Sequence, residues 1–309
     1  MDKKITRRVV LGAAIAGLVA GPFVVRAMRG KSAGLLSDYD RLWKHYFDQC
    51  VVPIGDVDVT RTARVVLDPT SVPQARLLVL TGQFGTDQDA SVLCGSVSPA
   101  FFAVLEASLQ AEPTRGHLCV DVGTRKVVGR LSGEELLDNR AVPLLFAVDG
   151  TRLRVVVRDG DSGSSTHSVT SSREDVAEIL EASLSLELPQ DGVSLGTRWM
   201  RSVDCDFFDS LPTVVEGVCS VRGVEAFKIV SSVVDDAFRP MPVPPVGVDR
   251  EQLAYYKNGR YKGSISEVLY VSTDTGLLIR SETLMSVQIE TPTETRLENA
   301  FSLSQMFFS

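Results

Sequence analysis

The sequence predicts an α+β protein, mainly β, in which curved antiparallel sheet is covered by a few helices. Three observations predict it. From Gly196 to Ile289 apolar and polar residues alternate at period 2, which sets every second side chain on one sheet face. Turn signals punctuate these runs, with Arg222-Gly223 and Thr273-Asp274-Thr275-Gly276 as the sharpest. Helical periodicity is confined to stretches near 35–50, 99–111 and 173–185, which are expected to cover the dry face of the sheet.

The chain opens on Lys3, Lys4, Arg7 and Arg8, followed by an Ala- and Gly-rich apolar run from Val9 to Val25. These are the basic and apolar regions of an export signal. Thr6-Arg7-Arg8-Val9-Val10-Leu11 resembles the twin-arginine translocation motif, with Val10 where that family prefers Phe. Arg26, Arg29 and Lys31 after the apolar run fit the same resemblance. It implies export of an already folded chain, with the twin-arginine machinery as partner and Arg7 and Arg8 as its contacts. Val25-Arg26-Ala27 offers a small-residue cleavage site. Left uncleaved, residues 9–25 are a short membrane anchor at the lower limit for spanning.

Leu35, Tyr39, Leu42, Trp43, Tyr46 and Cys50 recur at spacings of three and four, predicting an amphipathic helix. Val57 to Leu67 alternates as a strand, and Arg76 to Leu80 is a shorter one. Thr81 to Ala90 reads as a loop. Ser98-Pro99 starts a helix whose buried face is Phe101, Phe102, Leu105 and Leu109. His117 to Val128 reads as strands broken at Gly123, and Ser132 to Leu137 as a helical turn. Leu144–Val148 and Arg152–Val157 flank Asp149-Gly150, a hairpin signal. Ser171-x-x-Glu174 is a capping box that opens the third helix.

Beyond Gln190 the meander begins. Trp199, Val203, Cys205 and Phe207 share a face, and Leu211-Pro212 breaks that run. Val215, Cys219 and Val221 follow, then Phe227, Ile229 and Val233. Ile265 to Val271, Ile279 to Ile289 and Arg296 to Phe307 complete the strands. One-sided alternation favours antiparallel pairing. The chain thus divides into 1–27, export signal or anchor; 28–56, amphipathic helix and linker; 57–190, a β-rich α+β part; and 191–309, the meander.

Composition narrows the function classes. Hydrophobic residues make up 44% and charged residues 23%, ordinary for a globular chain. Net charge is −7, and residues 1–27 hold more cations than acids, so the remainder is more acidic still. Such a body lacks the basic footprint that nucleic acid requires. Only three His are present, and no ligand pair at zinc spacing occurs, so no metal or cofactor is expected.

Gly160-Asp161-Ser162-Gly163-Ser164 is similar to the nucleophile stretch of trypsin-like proteases, but neither His45 nor His117 stands where that fold needs its base, so it reads as a turn. His117, Cys119 and Asp121 share one side of a strand, which is read as scattered polar residues. Five Cys is an odd count. Cys205 and Cys219 lie in neighbouring expected strands at even separation, which allows a cross-strand disulfide. Asp235 to Lys262 is the most unusual stretch. Its Pro-rich run 240–245 favours extended geometry, and Asn258-Gly259 reads as a hairpin tip. Arg239, Arg250, Tyr255, Tyr256, Arg260 and Tyr261 form its candidate contact set for a ligand or partner. The competing reading is a stiff connection whose rings pack under the sheet.

Leu195-Gly196-Thr197-Arg198-Trp199, Val221 to Ile229, and Thr275-Gly276-Leu277-Leu278 are together similar to β-rich domains of unknown function in exported bacterial proteins. More distantly they resemble the half-barrels that carry lipoproteins or lipids across the periplasm. The resemblance implies a curved sheet around an apolar space and no activity. The expectation is therefore an exported, non-catalytic protein of the periplasm or cell envelope that binds an apolar ligand or a protein partner. A structural or assembly protein of the envelope is the alternative, and a hydrolase or redox enzyme the third.

Overall fold

The structure, a computed structural model, describes residues 33–60, 68, 71, 74–84, the strands within 101–157, and, from 184 on, all but 185, 187, 190–191, 204, 206 and 243–255. Helix α1 (Ala33–Cys50) precedes β1 (Gln74–Phe84), β2 (Phe101–Glu112), β3 (His117–Val128), β4 (Glu135–Asp138), β5 (Pro143–Asp149) and β6 (Arg152–Val157). Then come β7 (Arg198–Ser202), β8 (Ser210–Val221), β9 (Val224–Pro240), β10 (Arg260–Ser272), β11 (Leu278–Glu290) and β12 (Thr295–Phe308). They form one sheet in the order β6-β5-β3-β2-β1-β12-β11-β10-β9-β8-β7, with β4 beside β3. Neighbours pair antiparallel throughout. The fold is α+β and mainly β, a curved antiparallel sheet. The last strand pairs with the first, Leu80 opposite Leu303, so the parts divided at 190 share one sheet.

The turns are where the residues put them. Arg222 and Gly223 both have positive φ, 54° and 85°, which suits the two-residue hairpin between β8 and β9. Gly276 has φ 71° in the β10–β11 turn, where Ser272 accepts at Oγ from the N–H groups of Asp274 and Thr275.

Helix α1 lies on one face of the sheet. Trp43, Tyr46 and Cys50 are buried against Leu78, Leu80, Phe301 and Leu303. Trp43 meets Phe301 edge-on at 5.1 Å. The other face is covered along β8 to β11 by segments that precede β8 in the chain. Leu186, Leu188 and Val193 pack on Val215, Phe227, Ile229 and Leu269. Phe207 and Phe208 pack on Ile265, Met285 and Val287. Alternation holds along β8, which buries Leu211, Thr213 and Val215 and exposes Pro212 and Glu216. Around the β10–β11 turn both faces are covered, so Tyr270 and Val271, and Leu278 and Ile279, are consecutive buried pairs.

Several expectations are corrected. Residues 101–112 are strand, not helix: β2 pairs with β1 on one side and β3 on the other, and those ladders outweigh a local helical spacing. Glu135–Asp138 is a strand against β3, not a helical turn. Gly123 does not end a strand; β3 runs through it with a register shift. Leu211-Pro212 lies inside β8. Pro212 is opposite Met200 of β7, and pairing with β9 begins only at Thr213, so the missing N–H leaves no partner unsatisfied. Asn258 ends a helical turn and is not a hairpin tip. In the strand expected at 57–67, Asp58 makes an isolated bridge to Val218. Residues 61–67 lie outside the described residues, as do the helix near 173–185 apart from Leu184, and Gly160 to Ser164.

Candidate functional site

The site expected between Asp235 and Lys262 is built on a flange of β9 to β12. Pairing of β8 with β9 stops at Thr213 opposite Ser231, but β9 continues to Pro240 against β10. Tyr261 is opposite Arg239 and Gly263 opposite Asp235, so β9 carries a bulge over 236–238. Gly263 is required there, because a Cβ would strike the carbonyl oxygen of Ser286 on β11.

The structure divides the candidate contact set. Tyr256 and Tyr261 are buried in the cluster of Phe207, Ile265 and Met285. The Tyr261 hydroxyl donates to the Phe207 carbonyl at 3.0 Å, and the two rings meet edge-on at 4.9 Å. Burial pushes the Tyr261 phenol above its ordinary value. These rings pack under the sheet. Arg239 and Arg260 lie at the surface, Arg239 paired with Asp235 and Arg260 with Glu290 at 3.1 Å. Arg250 and Tyr255 lie outside the described residues.

The outer surface of the flange holds residues the spacing did not single out. Phe238 receives the Arg260 guanidinium at 5.5 Å and the Lys262 ammonium at 4.9 Å over its ring. Val234 is 68% exposed and Leu297 37%. Together with Asp235 and Lys262 the last two line a shallow open cleft of about 180 Å³. That is below the roughly 300 Å³ at which small-molecule clefts begin. The signal for Val234 was legible: in Val233-Val234 one of two consecutive valines must face the wet side.

The inner face carries a polar row between its two apolar clusters. Cross-strand pairing sets Thr213, Ser231, Glu267 and Thr283 in line over β8 to β11. Thr213 and Ser231 share a hydrogen bond of 2.8 Å, and Glu267 is ion-paired with Arg201 of β7. Burial lowers Arg201 to about 10. The Trp199 indole nitrogen is buried beside this row without a hydrogen-bond partner in the structure. Thr213, Ser231 and Glu267 are buried, and their bonds to one another and to Arg201 order the sheet.

The thiols are separate. Cys50, Cys205 and Cys219 are buried, and none of the three is in a disulfide. The expected bridge between Cys205 and Cys219 is not formed, because Cys205 falls in the β7–β8 connection while Cys219 pairs with Ala226. Cys205 packs against Met285, and Cys219 belongs to another cluster. Desolvation pushes Cys50 up to about 12, and burial raises Cys219 as well. His45 is exposed on α1 beside Gln49, and His117 opens β3 opposite Glu112. Among the described residues no group of three or more His, Cys, Asp or Glu is placed to hold a metal ion. Arg7 and Arg8 lie outside the described residues, and no described helix is long and apolar enough to cross a membrane.

No protein-family profile matches the chain, and no curated protein matches it. A solved structure described as a conserved protein of unknown function with a hot dog fold, from Alicyclobacillus acidocaldarius, aligns over 77% of this chain and 80% of its own. Identity is 11% and the TM-score 0.11, an overlap too loose to carry an argument.

Proposed function

We propose that this chain is an exported, non-catalytic binding module of the cell envelope that takes a protein partner on the β9–β12 flange. The observation that carries the reading is the surface made by Val234, Phe238, Lys262 and Leu297. Two cations on an aromatic ring beside exposed apolar side chains suit a partner that buries both. An engulfed apolar ligand is the weaker form of the idea, because Tyr256, Tyr261, Phe207 and Phe208 occupy the inner face themselves. The same packing favours the second reading, a structural or assembly protein of the envelope. Export rests on Arg7, Arg8 and the run 9–25, with the twin-arginine machinery as the partner in transit and membrane contact through 9–25 if uncleaved. The acidic net charge of −7 argues against nucleic acid.

A photo-cross-linking residue in place of Phe238, with a control at the exposed Asp274 in the opposite turn, tests this in the producing cell. The proposal expects a discrete protein adduct from position 238 alone, lost in Lys262→Glu. Adducts to lipid, or equal labelling from both positions, contradict it.

A further inference from the structure

Among the described residues the sheet ends on one side in an edge made of two pieces. Strand β7 pairs with β8 from Ser210 to Val214, and residues 53–58 take over farther along. Val215 donates to the Thr197 carbonyl at 3.0 Å and Val203 to the Asp209 carbonyl at 3.1 Å. Trp199 and Arg201 fall between them in the same phase, so the N–H and C=O groups of Arg198, Met200 and Ser202 turn outward. In the second piece, Gly55 donates to Ser220 at 2.7 Å and Arg222 donates to Pro53 at 3.0 Å. The backbone groups of Ile54 between them also turn outward.

An open edge pairs with whatever extended backbone fits it. Three of the six large apolar side chains exposed among the described residues lie here: Met200 at 61%, Val59 at 60% and Ile54 at 38%. The two pieces are opposite in charge, with exposed Arg198 on β7 and exposed Asp56 beside Ile54.

We propose that this edge docks a second copy of the chain about a two-fold axis. Antiparallel pairing lays β7 of one copy along residues 54–56 of the other. A single register then sets Arg198 opposite Asp56 of the other copy and Met200 opposite Ile54. The faces agree: Met200 shares a side with its partner Pro212, Ile54 shares one with Val221, and alternation through the bulge at Val215/Gly217 makes these the same side of β8. A two-fold axis normal to the sheet keeps that side common to both copies, and each contact occurs twice. A foreign strand has no reason to carry this order of charge and apolar residue, whereas a second copy carries it by construction.

Sedimentation velocity of the exported protein across micromolar concentrations is the test. The proposal expects a dimer that Met200→Lys abolishes and Arg198→Glu weakens about tenfold, the scale of a lost ion pair at an edge. The double change Arg198→Glu with Asp56→Arg restores it. All three positions are exposed, so the variants keep the fold. A monomer at every concentration, or a dimer indifferent to these changes, overturns it.

Discussion

Arg280 donates from Nη1 to the carbonyl oxygen of Cys50 at 2.6 Å and to Gln305 Oε1 at 3.0 Å. One buried guanidinium thus ties the last residue of α1 to the start of β11 and the C-terminal part of β12. The carbonyls of a helix's last turn have no partner within the helix, and a cation there also meets the negative end of its dipole.

Arg280→Met is therefore expected to cost about 1.5 to 3 kcal/mol, the range for hydrogen bonds to a charged donor. Hydrogen exchange would quicken in the last turn of α1 before the sheet. A urea midpoint unchanged from the parent would contradict this.

The Arg201–Glu267 pair joins β7, at the sheet edge, to β10 across two intervening strands. Removing one partner leaves the other charged and dry. Glu267→Leu alone is expected to lose about 3 to 5 kcal/mol, and Arg201→Met with Glu267→Leu to regain most of it. Chemical denaturation of the three variants measures this. Additive losses would show that the two charges do not depend on each other.

Glu298 is largely buried beside Arg296, whose Nε lies 2.6 Å from its carboxylate. Desolvation outweighs that cation and raises the Glu298 carboxyl to about 7. Between the ordinary value of 4.5 and about 7, the folded chain keeps a proton that the unfolded chain has lost. Stability from this group is therefore present at low pH and declines as pH climbs through that window, by on the order of 3 kcal/mol in all. Glu298→Gln should flatten the dependence. Parallel pH profiles for the two proteins would refute the assignment.

Cys50 held near 12 has almost no thiolate at neutral pH. Native protein is expected to resist iodoacetamide at Cys50, Cys205 and Cys219, and each to be alkylated once unfolded without reductant. A Cys205–Cys219 linked peptide in unreduced digests is the contrary outcome.

The meander was legible because its alternation needs no knowledge of neighbours. Residues 101–112 were not, since Phe101, Leu105 and Leu109 satisfy both a helical spacing and a period of two. Over so short a run only the ladders to β1 and β3 decide. Pro212 marked a break because proline removes a donor, but whether a donor is wanted depends on where β9 starts to pair. Of the candidate contacts, Arg239 and Arg260 lie at the surface, while Tyr256 and Tyr261 turn inward. Aromatic rings near a loop carry no sign of which way they face until the sheet beneath them is known. The row from Thr213 to Glu267 depends on cross-strand register, which no local pattern specifies.

On the proposed function, the chain fills its own inner face and binds its partner on the outside of the flange. Native mass spectrometry of protein released gently from the envelope tests it most directly. The expected masses are those of the polypeptide, its whole-number multiples and their complexes with a protein partner, with no lipid-sized adduct. A retained lipid-sized adduct would contradict it.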